Sequence, residues 1–213
     1  MHHGTLECMA GEIAHIVYAA RLLTTLKSEV SHHSYWVGTV FPDIYRLRAP
    51  NRYPTHLRPV ILSRIVGHND FTTGMRVHTW IDETSEHYMR EHRVYERLPW
   101  HPLLPFALEL FEDEMLYGAY EDWGIVRRAL ATIYPDEVAI VHEQSTLHTW
   151  HTILENYFRA VPSNTSRSAL CDAIGISKEI AADANRIVHA LKNGQAAKEI
   201  IYGYIGELEH MLV

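Results

Sequence analysis

Thiols are scarce in this chain. Cys8 and Cys171 are its only cysteines, far apart and without CxxC spacing. A thiolate-built structural zinc and a disulfide scaffold are thereby excluded, and a reducing compartment, the cytoplasm, is expected. No apolar run approaches the ~20 residues that span a bilayer, so no membrane insertion is expected. The first residues carry Glu7, Glu12 and His15 rather than a basic start and a small-residue cleavage site, and no signal peptide is read there. Surplus positive charge is missing as well. Lys and Arg number 19 against 26 Asp and Glu, a formal net charge of -7, which argues against nucleic acid as a partner. Alternating strand patterns bounded by Asn-Gly or Asp-Gly turns are also absent, which removes a sheet from consideration.

What is present is an ordinary globular composition, 47% hydrophobic over 213 residues, enough for one domain with a substantial core. Helical periodicity recurs throughout. Residues 7–28 read as an apolar helix carrying His15. Residues 30–44 read as a turn, a short helix and then Phe41-Pro42-Asp43-Ile44, where Pro42 forces Phe41 out of helical geometry. Residues 45–58 read as an irregular, exposed loop. A helix is predicted from about Phe71 to His92, capped by Asp70 or Thr72. Further helices are predicted from Pro102 to about Tyr120, from Asp122 to Tyr134, and from Pro135 to about Phe158, the last opened by proline and two acids. Ser177 caps another that ends at Asn193-Gly194, and residues 195–212 form the last. The expectation is a single-domain, all-α multi-helix bundle over residues 1–213.

Histidine is the abundant functional residue, 16 in all. Within the helix from Phe71, His78 and Asp82 lie one turn apart and share a face. Met75, Val77, Trp80 and Ile81 place that helix in the interior, where a His–Asp pair is expensive unless something charged or hydrogen-bonding fills the gap. The pair is equally compatible with a metal and with an internal hydrogen bond. Singly, His15 reads as a core histidine, Asp43 as a turn or cap residue and His56 as a loop histidine. Together, His15, Asp43, His78 and Asp82, with His56 added from the loop, form a His/carboxylate set suited to a divalent ion, Zn, Mn or Fe.

Other groups have weaker claims. His148, His151 and Glu155 share a helix face, either a polar solvent stripe or a second metal site contributed by His151 and Glu155. Glu109 and Asp113 form a further one-turn pair. His87 points away from His78 on a straight helix and joins the site only if the helix ends near Thr84-Ser85. No acid lies between Asp43 and Asp70, where Arg46, Arg48, Arg52, Arg58 and Arg64 all fall. That run is either a solvated loop or a clamp for a phosphate or an acidic partner.

At these residues the chain resembles two groups of helical metal-dependent phosphodiesterases. Gly74-Met75-Arg76-Val77-His78 with Ile81-Asp82 and Ser85-Glu86-His87 is similar to the signature of the HD-like acyl carrier protein phosphodiesterases. Ile13-Ala14-His15, Gly38 with Asp43, and Phe111 to Leu116 followed by Trp123 match that family's further landmarks in order. The resemblance implies a metal surrounded by His15, Asp43, His78, Asp82 and Asp113, manganese as the usual ion, and a substrate carried on an acidic protein. This sequence departs from the family in reading Asp113-Glu114 where an Asp-His pair stands, and in a longer loop between Asp43 and Gly74. The second resemblance is to zinc-dependent phospholipase C. It implies ligands at Asp43 in Gly38-Thr39-Val40-Phe41-Pro42-Asp43, at His56, at His78 and Asp82, and at His151 and Glu155. The export signal of the secreted members is missing.

The resulting expectation is a metal-dependent hydrolase of a phosphate ester, more specifically a diester. His15, Asp43, His56, His78 and Asp82 hold the ion, the arginine loop or the ion stabilises the phosphoryl oxygens, and Asp113 or His87 protonates the leaving group. The rival expectation is a non-catalytic helical module with a structural metal or structural histidines.

Overall fold

The structure is a computed structural model that describes residues 10–26, 32–47, 55–57, 61–65 and 68–211. Among these residues there is no strand. Eleven α-helices follow one another in the order α1 Glu12–Leu26, α2 His32–Val40, α3 Asp70–Glu91, α4 Val94–Arg97, α5 Leu104–Leu116, α6 Trp123–Ala129, α7 Pro135–Ile140, α8 Gln144–Tyr157, α9 Asn164–Ala173, α10 Lys178–Asn193 and α11 Gln195–Met211. Short 3-10 segments follow α2 at Phe41–Leu47 and α5 at Tyr117–Ala119, and another covers Leu62–Arg64. No helix among the described residues is long and apolar enough to cross a membrane.

Helix α1 is apolar nearly all round because it lies at the centre: Ile13, Ala14, Ile16, Tyr18 and Ala19 have no exposed surface. Helices α2 and α3 make the most extensive helix pairing, and two glycines explain its closeness. A Cβ on Gly38 would stand 2.1 Å from the Phe71 carbonyl oxygen, and one on Gly74 would stand 2.3 Å from that of Tyr35. Only hydrogen at both positions lets the two backbones approach this closely. The consequence is chemical: α2 delivers Thr39 and, just beyond its end, Asp43 against the face of α3 that carries His78 and Asp82. Trp150 of α8 donates its indole N–H to the Val40 carbonyl at 3.1 Å, pinning the end of α2 where the chain turns toward Asp43.

Several boundaries differ from the predicted ones for identifiable reasons. The cap of α3 is Asn69, whose side chain accepts the Thr72 N–H at 2.8 Å, rather than Asp70 or Thr72. Phe41 leaves the α-helix as Pro42 requires, but the chain tightens into a 3-10 segment through Leu47 instead of opening into a loop. The helix predicted from Pro135 to Phe158 is two helices, interrupted at Val141–Glu143. Helix α9 has no counterpart in the sequence reading, although Ser163 caps it by accepting the Ser166 N–H at 3.3 Å. Ser177 caps α10 as expected, accepting the Ile180 N–H at 3.3 Å.

Candidate metal centre

Five of the expected ligands converge where α1, the segment after α2, and α3 meet. His15 comes from α1, Asp43 from the 3-10 segment, His56 from the short described stretch 55–57, and His78 and Asp82 from α3. All are buried; His15, Asp43 and His78 show no exposed surface. The tautomers of the two helical histidines follow from their partners. The His15 ring Nδ1 lies 3.0 Å from the Gly11 carbonyl oxygen, and the His78 ring Nδ1 lies 2.9 Å from the Thr39 carbonyl oxygen. A carbonyl can only accept, so each Nδ1 carries a proton and each ring turns its Nε2 inward.

Those nitrogens face carboxylate oxygens. His15 Nε2 lies 3.2 Å from Asp82 Oδ1, and His78 Nε2 lies 3.4 Å from Asp82 Oδ2 and 3.9 Å from Asp43 Oδ1. His56 Nε2 lies 3.4 Å from Asp82 Oδ2, with its Nδ1 3.0 Å from the Thr55 hydroxyl. Asp43 Oδ1, His56 Nε2 and His78 Nε2 are buried and make no hydrogen bond. Two ligand atoms each ~2.1 Å from a shared ion stand about 3.0–3.4 Å apart at octahedral to tetrahedral angles. Three of the four separations fall in or near that range, and the 3.9 Å separation lies above it. Two donor triplets meet the spatial requirement for an ion, His15/Asp43/His78 and His56/His78/Asp82.

Burial works against the charged forms of His15, Asp43, His78 and Asp82. At Asp82, nevertheless, His78 first and then the neighbouring His15 and His56 hold the carboxyl well below the usual range. At Asp43, burial is likewise overcome, by the Arg46 guanidinium and His78. His78 is pushed down by burial and by neighbouring His15. For His15, burial is outweighed by Asp82, and the imidazole is held above its ordinary value. The two rings stack with centroids 3.8 Å apart and planes 5° apart, an arrangement that disfavours two imidazolium charges together.

The remaining expected site residues lie elsewhere. Asp113 is not presented to the cavity: its Oδ1 accepts the backbone N–H groups of Ile13 and Ala14, both at 2.9 Å, and its Oδ2 accepts the Tyr157 hydroxyl at 3.1 Å. It caps α1 from α5, and burial pushes its carboxyl up to about 6. A Cβ on Gly11 would stand 2.3 Å from Asp113 Oδ1, so the glycine makes room for this carboxylate. His87 is exposed because α3 continues unbroken to Glu91, and its role as an acid is withdrawn.

His151 is buried but both its nitrogens are engaged, Nδ1 2.9 Å from the Leu130 carbonyl oxygen and Nε2 2.6 Å from Glu137 Oε1. Glu155 is half-buried and pairs with Arg159 at 3.0 Å, so these two do not assemble a second site. His148 is exposed, its Nδ1 2.8 Å from the Gln144 carbonyl oxygen. Arg46 is turned inward onto carboxylates, 3.5 Å from Asp43 Oδ2, 3.5 Å from Glu109 and 3.8 Å from Glu12. Arg48, Arg52, Arg58 and the side chain of Arg64 lie outside the described residues.

Sequence reasoning missed Glu12 and the inward role of Arg46. The signal was available: Glu12 precedes His15 by three positions, and Arg46 follows Asp43 by three. Comparison with protein families, with curated proteins and with solved structures finds no match to this chain.

Proposed function

We propose that this protein is a metal-dependent hydrolase, with a divalent ion, Zn, Mn or Fe, held by His15, Asp43, His78 and Asp82 and by His56. One observation carries the reading: three imidazole nitrogens and the oxygens of two carboxylates face one another in a buried gap at separations of 3.2 to 3.9 Å. Groups facing one another in this way require protons or a cation between them. When bound, such an ion supplies Lewis acidity and lowers the pKa of a bound water. The chain's own residues do the rest. Gly11 and Thr39 fix the ring orientations through their carbonyls, and Arg46 holds Asp43.

Within that class, a phosphate ester, specifically a diester, is the substrate favoured by the resemblance of the His15, Asp43, His78-x-x-x-Asp82 series to helical phosphodiesterases. A carrier on an acidic protein belongs to the same proposal. The HD-like or phospholipase C-like architecture rests on the same resemblance.

The near-complete enclosure of the five side chains favours a second reading, a helical module whose ion only stabilises the fold. The two differ in chelation and turnover. Tag-free protein is analysed for metal beside His78→Ala, then assayed on generic phosphodiesters with added Zn or Mn. About one equivalent in the wild type, lost in the variant, together with turnover supports the hydrolase. Bound metal without turnover, and a sharp fall in melting temperature on chelation, gives the structural module. No metal in either protein after incubation with Zn and Mn overturns both.

A further inference from the structure

The guanidinium of Arg46 stands among three buried carboxylates that lie behind the candidate centre. Its Nη2 is 3.5 Å from Asp43 Oδ2 and 3.5 Å from Glu109 Oε2, and its Nε is 3.8 Å from Glu12 Oε1. The carboxylates belong to different elements: Glu12 to the first turn of α1, Asp43 to the 3-10 segment, Glu109 to α5. Glu12 is 3% exposed and its Oε2 is buried without a hydrogen-bond partner. Asp43 is therefore two-sided. Its Oδ1 looks toward His78, and its Oδ2 looks toward Arg46. In two-metal hydrolytic sites, whose ions stand about 3.5–4 Å apart, a carboxylate bridges the two ions with one oxygen to each; Asp43 has one oxygen on the candidate centre's side and the other on a fixed cation.

The donor inventory limits the ion count on the other side. Both donor triplets use His78. Its Nδ1 is committed to the Thr39 carbonyl at 2.9 Å, so one Nε2 lone pair remains, and one lone pair serves one ion.

We propose that the centre takes a single divalent ion and that Arg46 is the fixed second cation, occupying the place between Glu12, Asp43 and Glu109 where a dinuclear site would hold its other metal. This deepens the function proposed above and rests on it. Arg46 is thus a positioning residue: it tethers the far oxygen of Asp43, leaving the near one aimed at the ion, and it keeps the acid cluster from recruiting a metal. A guanidinium is suited to this because it stays charged at any working pH and presents donors in several directions. Unlike an ion, it cannot be removed by chelation.

Manganese distinguishes the outcomes. Wild type, Arg46→Lys and Arg46→Ala are loaded with Mn²⁺, counted by elemental analysis and examined by electron paramagnetic resonance. Wild type and Arg46→Lys are expected to bind one equivalent with an isolated-ion spectrum. Arg46→Ala is expected to bind two, with the exchange-coupled signal of a Mn pair. If Arg46→Ala folds only in excess Mn²⁺, the ion has replaced the guanidinium and the inference stands; failure to fold at millimolar Mn²⁺ overturns it. Two equivalents in the wild type, or one in a folded Arg46→Ala, overturn the role of Arg46 while leaving the metal-dependent reading intact. Zero in the wild type overturns that reading, and this inference with it.

Discussion

Among the described residues, two buried histidine–carboxylate arrangements differ in construction. In the His151–Glu137 pair, the nitrogen and oxygen are 2.6 Å apart and the other ring nitrogen meets the Leu130 carbonyl. That separation holds a proton and nothing larger, and the Glu137 carboxylate is further anchored by the Tyr134 N–H at 2.8 Å. In the centre around His78, the corresponding separations are 3.2 to 3.9 Å, and three imidazoles address two carboxylates. Burial of histidine beside an acid is common to both. What separates them is the width of the gap and the number of side chains that meet across it. The first arrangement is closed by one short contact; the second brings five side chains together at wider separations.

The largest expected effect tests the wide gap. His78→Ala removes the donor common to both triplets; on the proposed hydrolase reading, turnover with added metal should fall by about 10³-fold or more, with at least 100-fold weaker ion binding by titration. Circular dichroism should remain helical. Retained metal binding would make the gap no different from the closed pair.

His151→Ala breaks the comparison from the other side. It leaves Glu137 buried without its partner, and thermal unfolding should show a loss of about 3–4 kcal/mol, while metal content stays at the wild-type value. A drop in bound metal instead would place His151 in a site after all.

Another buried acid, Glu112, sharpens the comparison. Burial pushes the Glu112 carboxyl, which accepts a hydrogen bond from the Tyr18 hydroxyl, up to about 7 from an ordinary 4.5. A raised carboxyl means that the folded protein binds the proton more tightly than the unfolded chain. Stability therefore falls as pH rises from about 4.5 to about 7 and is not recovered above it. Glu112→Gln keeps an acceptor for Tyr18 and removes the titration, so melting temperatures at pH 5 and pH 8 should converge, with a gain of about 2–3 kcal/mol at pH 8. Convergence should be absent in a control substitution at the surface.

The smallest effect belongs to Glu155→Ala. This residue pairs with Arg159 one turn away on a partly exposed face, and its loss should change stability by no more than about 0.5 kcal/mol and leave bound metal unchanged.

The differences explain what could be read from the amino-acid sequence. His78 and Asp82 were legible because a helix fixes their spacing locally, and the helical class was legible because periodicity is local too. The convergence of His15, Asp43 and His56 on that pair was anticipated only as an ordered set. The placement of Asp113 and His151 away from that pair was not legible, for one reason. Their partners are Ile13 and Ala14, about a hundred positions away, and Leu130 and Glu137 across a helix break. One-turn spacing says which side chains share a face; it says nothing of what the rest of the fold has already placed there. Arg46 shows the same limit. An arginine in an acid-free stretch reads as a surface cation until three carboxylates are found around it.

The stacked rings of His15 and His78, 3.8 Å apart and nearly parallel, bear on how readily the proposed centre would take an ion. Each ring is hinged to a main-chain carbonyl on one edge and pressed flat against the other, so neither can turn over unless its neighbour swings with it. If an ion binds here as proposed, His15 and His78 would offer it rings already set in orientation, and no torsional search by these two side chains would precede capture.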